Sequence, residues 1–321
     1  MAPILEVVGL STQIRVPGGL LQAVHGVDLA LEKGEVLGLI GESGSGKTMV
    51  GLSILRLLPE TARSEATLLR FQGRDIGALS SAEFRALRGQ RLAMVFQNPA
   101  GAFNPAKSIG WHLRAILGGR LLKAPPPYSW RTEAETALGE VGIDDPSRTL
   151  KLYPHQLSGG MLQRVLIAMV LALGPEVIIA DEPTTNLDNI VERQILLLFR
   201  RLRQRLAAGI IFITHDMRVA SALCDRIMVM YAGEIVETGR TRAVLESPKH
   251  PYTQGLVATA SALSRGGRLQ EIPGELPSGF HRPAGCLFAP RCSRVHAACR
   301  TTQPPMLRLD DGRGVRCVLY A

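Results

Sequence analysis

Two stretches of this 321-residue chain carry the residue types and spacing needed to handle phosphate. Gly41, Glu42, Ser43, Gly44, Ser45, Gly46, Lys47 and Thr48 fit the pattern GxxxxGK[ST]. Glycines at these positions let backbone N–H groups turn inward around phosphate oxygens, and a helix starting just beyond adds the favourable end of its dipole. Lys47 is suited to neutralise β- and γ-phosphates, and the Thr48 hydroxyl to ligate Mg²⁺. The second stretch, Val177 to Glu182 (VIIADE), is an apolar run ending in two carboxylates. Asp181 at the end of a strand can hold Mg²⁺ through water, and Glu182 is suited to polarise an attacking water as general base.

Both motifs need a rigid frame. Glu35–Ile40 (EVLGLI) reads as a buried strand leading into the glycine loop, and Thr48–Leu58 as the helix after it, stopped by Pro59. Val177–Ala180 and Gly209–Thr214 read as further buried strands, with an arginine-faced helix over Val191–Leu206 between them. Strands alternating with helices predict an α/β fold from about Ile4 to Ala232. The prolines at 125–127 exclude helix or central strand there. Periodicity weakens and Pro and Gly accumulate beyond about Gly239, which sets the expected division: residues 1–239 as the catalytic domain and 240–321 as an extension.

Composition narrows the classes. The chain is 46% hydrophobic and 20% charged, as a folded protein is, and its longest nearly apolar run, Val165–Leu173, falls well short of the roughly 20 residues that span a bilayer. Met1 to Leu5 lacks the basic and apolar regions of a secretory signal, so a cytosolic chain is expected, touching a membrane only through partners. A net charge of +9 is compatible with nucleic acid, but only 5% of residues are aromatic and no basic run is interleaved with them, so no nucleic-acid partner is expected. Four of the five cysteines crowd the tail as C-x5-C-x6-C-x17-C: Cys286, Cys292, Cys299 and Cys317. In a reducing compartment this suggests metal before disulfide. Without paired C-x2-C knuckles the spacing favours a [4Fe–4S] cluster, with zinc as the alternative and free thiols as the third outcome. Cys224 reads as a buried core thiol.

Further segments bring the chain close to one family. Leu157, Ser158, Gly159, Gly160, Met161, Leu162 and Gln163 resemble the ABC signature, commonly LSGGQ, with Met161 in the fifth position. Gln97 matches the family's Q-loop, Asn186, Leu187 and Asp188 its D-loop, and His215 its switch histidine. The resemblance implies a P-loop ABC nucleotide-binding domain with a helical subdomain at about 98–172. It implies ATP as substrate, with Gln97 joining Thr48 and Asp181 at Mg²⁺, Glu182 as base and His215 at the γ-phosphate. It also implies a second, related ATPase subunit whose nucleotide is gripped by this chain's signature, with Asn186, Leu187 and Asp188 at the interface. His250 to Leu256 (HPYTQGL), Tyr153 to Gln156 (YPHQ), Asn104-Pro105, Ile272 to Gly274 and Gly285 to Cys292 are similar to the oligopeptide, dipeptide and nickel importer ATPases. Some of those carry an iron–sulfur cluster in this tail. The implied role is powering bacterial import of di- or oligopeptides or related solutes from the cytoplasmic face of the inner membrane. Two permease subunits would be direct partners, docked near Gln97 and Phe103–Pro105, and an external solute-binding protein an indirect one. A nickel or metal-chelate importer, an exporter and a soluble non-transport ABC ATPase are the alternatives.

One departure concerns the base. Family members usually place an aromatic ring from the N-terminal region against adenine, and residues 1–40 contain no Phe, Tyr or Trp. Ile14 or the flat guanidinium of Arg15 is left for that role. Loose base discrimination follows: GTP and ATP should turn over at comparable rates, and a strong preference for ATP would contradict the assignment.

Overall fold

The computed structural model describes residues 2–121, 129–185, 187–264, 272–277 and 282–321. The proline-rich stretch at 124–128 and Asn186 lie outside the described residues. Two compact units emerge, residues 1–79 with 211–321, and residues 80–210. The expected division near residue 239 does not coincide with either limit.

In the first unit, β1 (Leu5–Val16), β2 (Gly19–Leu31), β3 (Val36–Ile40) and helix α1 (Lys47–Ile54) lead to the short strands β4 (Ala62–Glu65), β5 (Leu68–Phe71) and β6 (Arg74–Asp75). An antiparallel sheet runs β2-β1-β5-β6, with β4 also pairing β1. Every residue of β3 is buried, as a continuous VLGLI run requires when both sheet faces are covered. Helix α1 is shorter than the sequence suggests. It closes at Ile54, and Arg56 adopts φ 51° so that its guanidinium reaches the carbonyls of Ile76, Gly77 and Leu79. That turn, rather than Pro59, ends the helix.

The second unit contains α2 (Ser81–Leu87), β7 (Leu92–Val95), α3 (Ile109–Leu121), α4 (Trp130–Glu140), α5 (Pro146–Thr149), α6 (Gly159–Leu173), β8 (Val177–Asp181) and α7 (Asn189–Leu206). β7 and β8 pair in parallel, with Met94 opposite Ile179. Helix α6 stops at Gly174, whose φ of 62° returns its N–H to the carbonyls of Val170 and Leu171. Helix α7 buries Ile195, Leu198, Phe199 and Leu202 at helical spacing and exposes Arg193, Arg200, Arg201 and Arg205, the arginine-rich face anticipated from sequence.

β9 (Gly209–Thr214) carries the chain back to the first unit. There α8 (Met217–Leu223), β10 (Arg226–Tyr231), β11 (Glu234–Arg240), α9 (Thr241–Glu246), α10 (Pro251–Ser264), α11 (Ala297–Thr301), β12 (Leu307–Arg308) and β13 (Gly314–Val315) follow. The strand order is β12-β13-β11-β10-β3-β9, with β10 parallel to β3 and antiparallel to β11. The tail thus extends the sheet that carries the glycine loop. Arg313, 5% exposed, fastens it by donating to the carbonyls of Ala243 and Ser247.

Cys224 is buried, as expected, and leaves no room beside it: a Cβ on Gly38 would lie 2.9 Å from its Sγ. Burial, reinforced by Asp225, pushes its thiol up to about 12. At pH 8 about one part in ten thousand would be thiolate, the reactive form. Cys224 should therefore resist iodoacetamide in the native chain and react once the chain is unfolded. Rapid native labelling, read by peptide mass spectrometry, would show that this core is not closed.

Candidate nucleotide site

The phosphate-binding segment leaves β3 and enters α1. Its glycines are dictated by contact: a Cβ on Gly41 would lie 2.2 Å from the carbonyl oxygen of Met230, and one on Gly46 2.3 Å from that of Ala23. Gly46 also sits at φ 104° and caps α1 without a side-chain hydrogen bond. Lys47, 4% exposed, folds back so that Nζ donates to the carbonyls of Gly41 at 2.9 Å and Glu42 at 2.8 Å. Ser45 Oγ is buried without a hydrogen-bond partner, which leaves bonding capacity inside the loop for a phosphate oxygen. Ser43 and Gly44 are exposed, and Thr48 is half-buried in the first turn of α1. His215 follows β9, which neighbours β3, and is exposed. Asp216 behind it caps α8 and grips Arg218.

Arg15 lies on the β1–β2 hairpin, exposed and paired across from Leu20. Its neighbour Ile14 pairs with Leu21, and lies on the same strand face as Thr12, whose hydroxyl meets Ser53 of α1 at 2.7 Å. Of the two side chains left for the base, Ile14 therefore shares the α1-facing side of the strand, and Arg15 the other.

The second unit carries the carboxylates. Asp181 ends β8 and is 3% exposed. Glu182 adopts φ 43°, a left-handed conformation that costs a non-glycine residue about 1 kcal/mol or more. The side chain is held in place: Thr185 Oγ1 donates to Glu182 Oε2 at 2.9 Å, and Gln97 Nε2 to the same oxygen at 3.2 Å. Gln97 and Glu182 were both read from sequence. Thr185 was missed, although its place three residues after Glu182 is the spacing of a turn closed by a side chain.

Leu157, Ser158, Gly159, Gly160, Met161 and Gln163 form the start of α6. Ser158 is its cap, accepting from Met161 N–H at 3.3 Å, while Gln163 is buried with Nε2 unpartnered. Gly160 leaves space that Val191 of α7 closes: a Cβ there would meet it at 3.1 Å. Leu187 is half-buried, and the Asp188 carboxylate caps α7, accepting from the N–H groups of Ile190 and Val191.

The tail reaches the phosphate loop directly, which nothing in the sequence announced. Tyr252 Oη accepts from Glu42 N–H at 2.9 Å, and Arg291 pairs with the Glu42 carboxylate at 2.9 and 3.2 Å. The partners are 210 and 249 residues apart, so no local pattern encodes them.

The four tail cysteines do converge, lining one cavity of about 10 Å³ with His250 and Phe288, room for about one water molecule. All are free thiols. Yet among the described residues no group of three or more Cys, His, Asp or Glu could hold a metal ion. Burial pushes the Cys286 thiol up to about 11 and that of Cys317 in the same direction, away from the thiolate a metal needs. The expected [4Fe–4S] cluster, and zinc, are thus not supported by this arrangement.

Comparison with known proteins agrees with this geometry. The ABC transporter family model matches residues 24–185, and that of the oligopeptide/dipeptide transporter C-terminal region matches residues 236–299. A putative peptide import ATP-binding protein of Brucella abortus (strain 2308) is 43% identical over 317 residues, 98% of this chain and 95% of that protein. The dipeptide transport ATP-binding protein DppD of Escherichia coli (strain K12) is 39% identical over 315 residues, 98% of this chain and 96% of DppD. Among solved structures, the ATP-binding cassette MJ0796, in a dimeric post-hydrolysis state bound to ADP and Pi, superposes with a TM-score of 0.65 at 25% identity, covering 74% of this chain and 99% of that one. The chain belongs to the ABC transporter family, as an ATP-binding subunit that hydrolyses ATP. Its tail sets it within the oligopeptide/dipeptide transporter branch of that family.

Glu182→Gln keeps the side chain's shape and a hydrogen-bond acceptor for Thr185 while removing the base. Turnover should fall about a hundredfold or more with ATP binding retained. Near wild-type hydrolysis by this variant would move the base elsewhere.

Proposed function

We propose that this chain is one of two ATPase subunits that drive a bacterial importer of short peptides from the cytoplasmic face of the inner membrane. The observation that carries the reading is the near full-length likeness to peptide-import ATP-binding proteins, tail included, in a chain whose phosphate loop, Q-loop, signature, D-loop and switch histidine follow in order. Among the described residues no helix is long and apolar enough to cross a membrane, which suits a subunit that works through membrane-spanning partners.

In this reading Lys47, the loop N–H groups and the start of α1 bind the β- and γ-phosphates of ATP. Thr48, Asp181 and Gln97 hold Mg²⁺, which screens the phosphate charge. Glu182, aimed by Thr185 and Gln97, takes a proton from the attacking water, and His215 steadies the γ-phosphate. Ser158, Gly159 and Gly160, at another helix N-terminus, grip the γ-phosphate bound to the second ATPase subunit, and Leu187 and Asp188 line the shared interface. ATP favours the closed pair and ADP does not. That difference in affinity is the free energy available to move permease helices docked near Gln97 and Phe103–Pro105. A related but different second ATPase chain, two permeases and an external binding protein complete the assembly.

Tagging the chain, solubilising membranes in mild detergent under nitrogen and identifying what co-purifies tests this. Two permeases and a second ATPase support it, and the ligand of an accompanying binding protein names the cargo. Recovery of the chain alone, or with ribosomes or DNA, refutes the transport role. Iron with acid-labile sulfide, or zinc, at one site per chain in the same material would show the four thiols parting and ionising around a metal. Absence of all three leaves them as packed thiols.

A further inference from the structure

Glu42 brings a negative charge into the phosphate-binding loop, a place built for anions. Every polar group it has is committed. Its N–H goes to Tyr252 Oη at 2.9 Å, its carbonyl accepts from Lys47 Nζ at 2.8 Å, and its carboxylate meets both terminal nitrogens of Arg291 at 2.9 and 3.2 Å. The Arg291 side chain is 5% exposed and is itself set before it reaches the loop. Nε donates to Pro273 O and Nη2 to Ile272 O, each at 2.9 Å, and the guanidinium lies 5.7 Å from the ring centre of Tyr231 and 6.0 Å from that of Phe288. A fork held by two carbonyls and two rings offers its remaining N–H groups in one direction, which is what a bidentate carboxylate needs. A lysine could not reproduce it.

We propose that Arg291 of the C-terminal extension is a positioning residue for ATP, cancelling the Glu42 charge and fixing the leading edge of the phosphate loop. With the arginine absent, a half-buried, uncompensated carboxylate is left beside the triphosphate, and the repulsion grows with each phosphate added. The extension thereby belongs to the nucleotide site as well as to the fold. The inference rests on the assignment of residues 41–48 as the ATP phosphate loop.

The test measures binding of AMP, ADP and the non-hydrolysable AMP-PNP to the full-length chain carrying Arg291→Met, Arg291→Lys, or Arg291→Met with Glu42→Gln. Thermal melts confirm that each variant is folded. Arg291→Met should weaken AMP-PNP about tenfold or more, ADP less, and AMP scarcely. The double variant, which removes both charges, should return AMP-PNP affinity to within about threefold of wild type. Arg291→Lys should fall between, and serves with the same nucleotide series should the methionine variant not fold. AMP-PNP binding within twofold of wild type in the single variants overturns the proposal. So does a uniform loss across the three nucleotides that Glu42→Gln does not repair, the mark of a structural role alone. Lys47→Ala is the control: if it binds AMP-PNP as wild type does, the phosphate-loop assignment itself is at fault.

Discussion

The phosphate loop has almost no space of its own, and that constraint organises the first unit. Its backbone is pressed against β10 at Gly41 and against β2 at Gly46, so close that a single added carbon would meet a carbonyl oxygen at 2.2 or 2.3 Å. The contact is backbone on backbone, and neither side can yield by turning a side chain. β2 and β10 must therefore hold their places for the loop to keep its N–H groups inward. β10 is held by parallel pairing with β3 on one edge and by β11 on the other. β11 in turn pairs with β13 from the tail. The chain of pairings runs from the last residues of the sequence back to the first turn of α1.

Much of this was legible because it is local. A glycine loop between an apolar run and an amphipathic run has one physical reading, and β3, β8, β9 and the start of α1 stand where periodicity placed them. The signature serine was legible for the same reason: Ser158 precedes an apolar helix and caps it. What was not legible is non-local or depends on conformation. The length of α1 was misjudged because Arg56 ends it by reaching three carbonyls some twenty residues onward. The four cysteines illustrate the opposite error. Their spacing correctly implied convergence, but whether converging thiols chelate depends on the space between them and on their ionisation, and neither is written in spacing.

Glu182 shows how much of a side chain's setting lies outside what a motif can state. Sequence placed a carboxylate after a strand, but its usefulness as a base depends on where the side chain points. The left-handed backbone at φ 43° turns it, and the two hydrogen bonds from Thr185 and Gln97 keep it turned. Strain of this kind persists only when surrounding contacts over-determine the residue. Here they come from a threonine in the same turn and a glutamine following a neighbouring parallel strand. The bond to Gln97 also means that displacement of the loop after β7 is felt at Glu182 through one hydrogen bond.

The tail supplies the charge that the loop lacks. A carboxylate inside an anion-binding loop is a liability unless a cation is fixed beside it, and a surface lysine would fix nothing because water and salt screen it. Arg291 avoids this by being buried among rings and carbonyls before it meets Glu42, so its charge acts at short range and in one place. That burial requires a folded extension around it. Phe288 supplies one ring, Ile272 and Pro273 the carbonyls, and Tyr252 packs against both Tyr231 and Phe288 while holding the loop N–H. A segment that looks, by composition, like an appendage is thus built around the second residue of the phosphate loop. The loop's glutamate and the tail's arginine make chemical sense only as a pair.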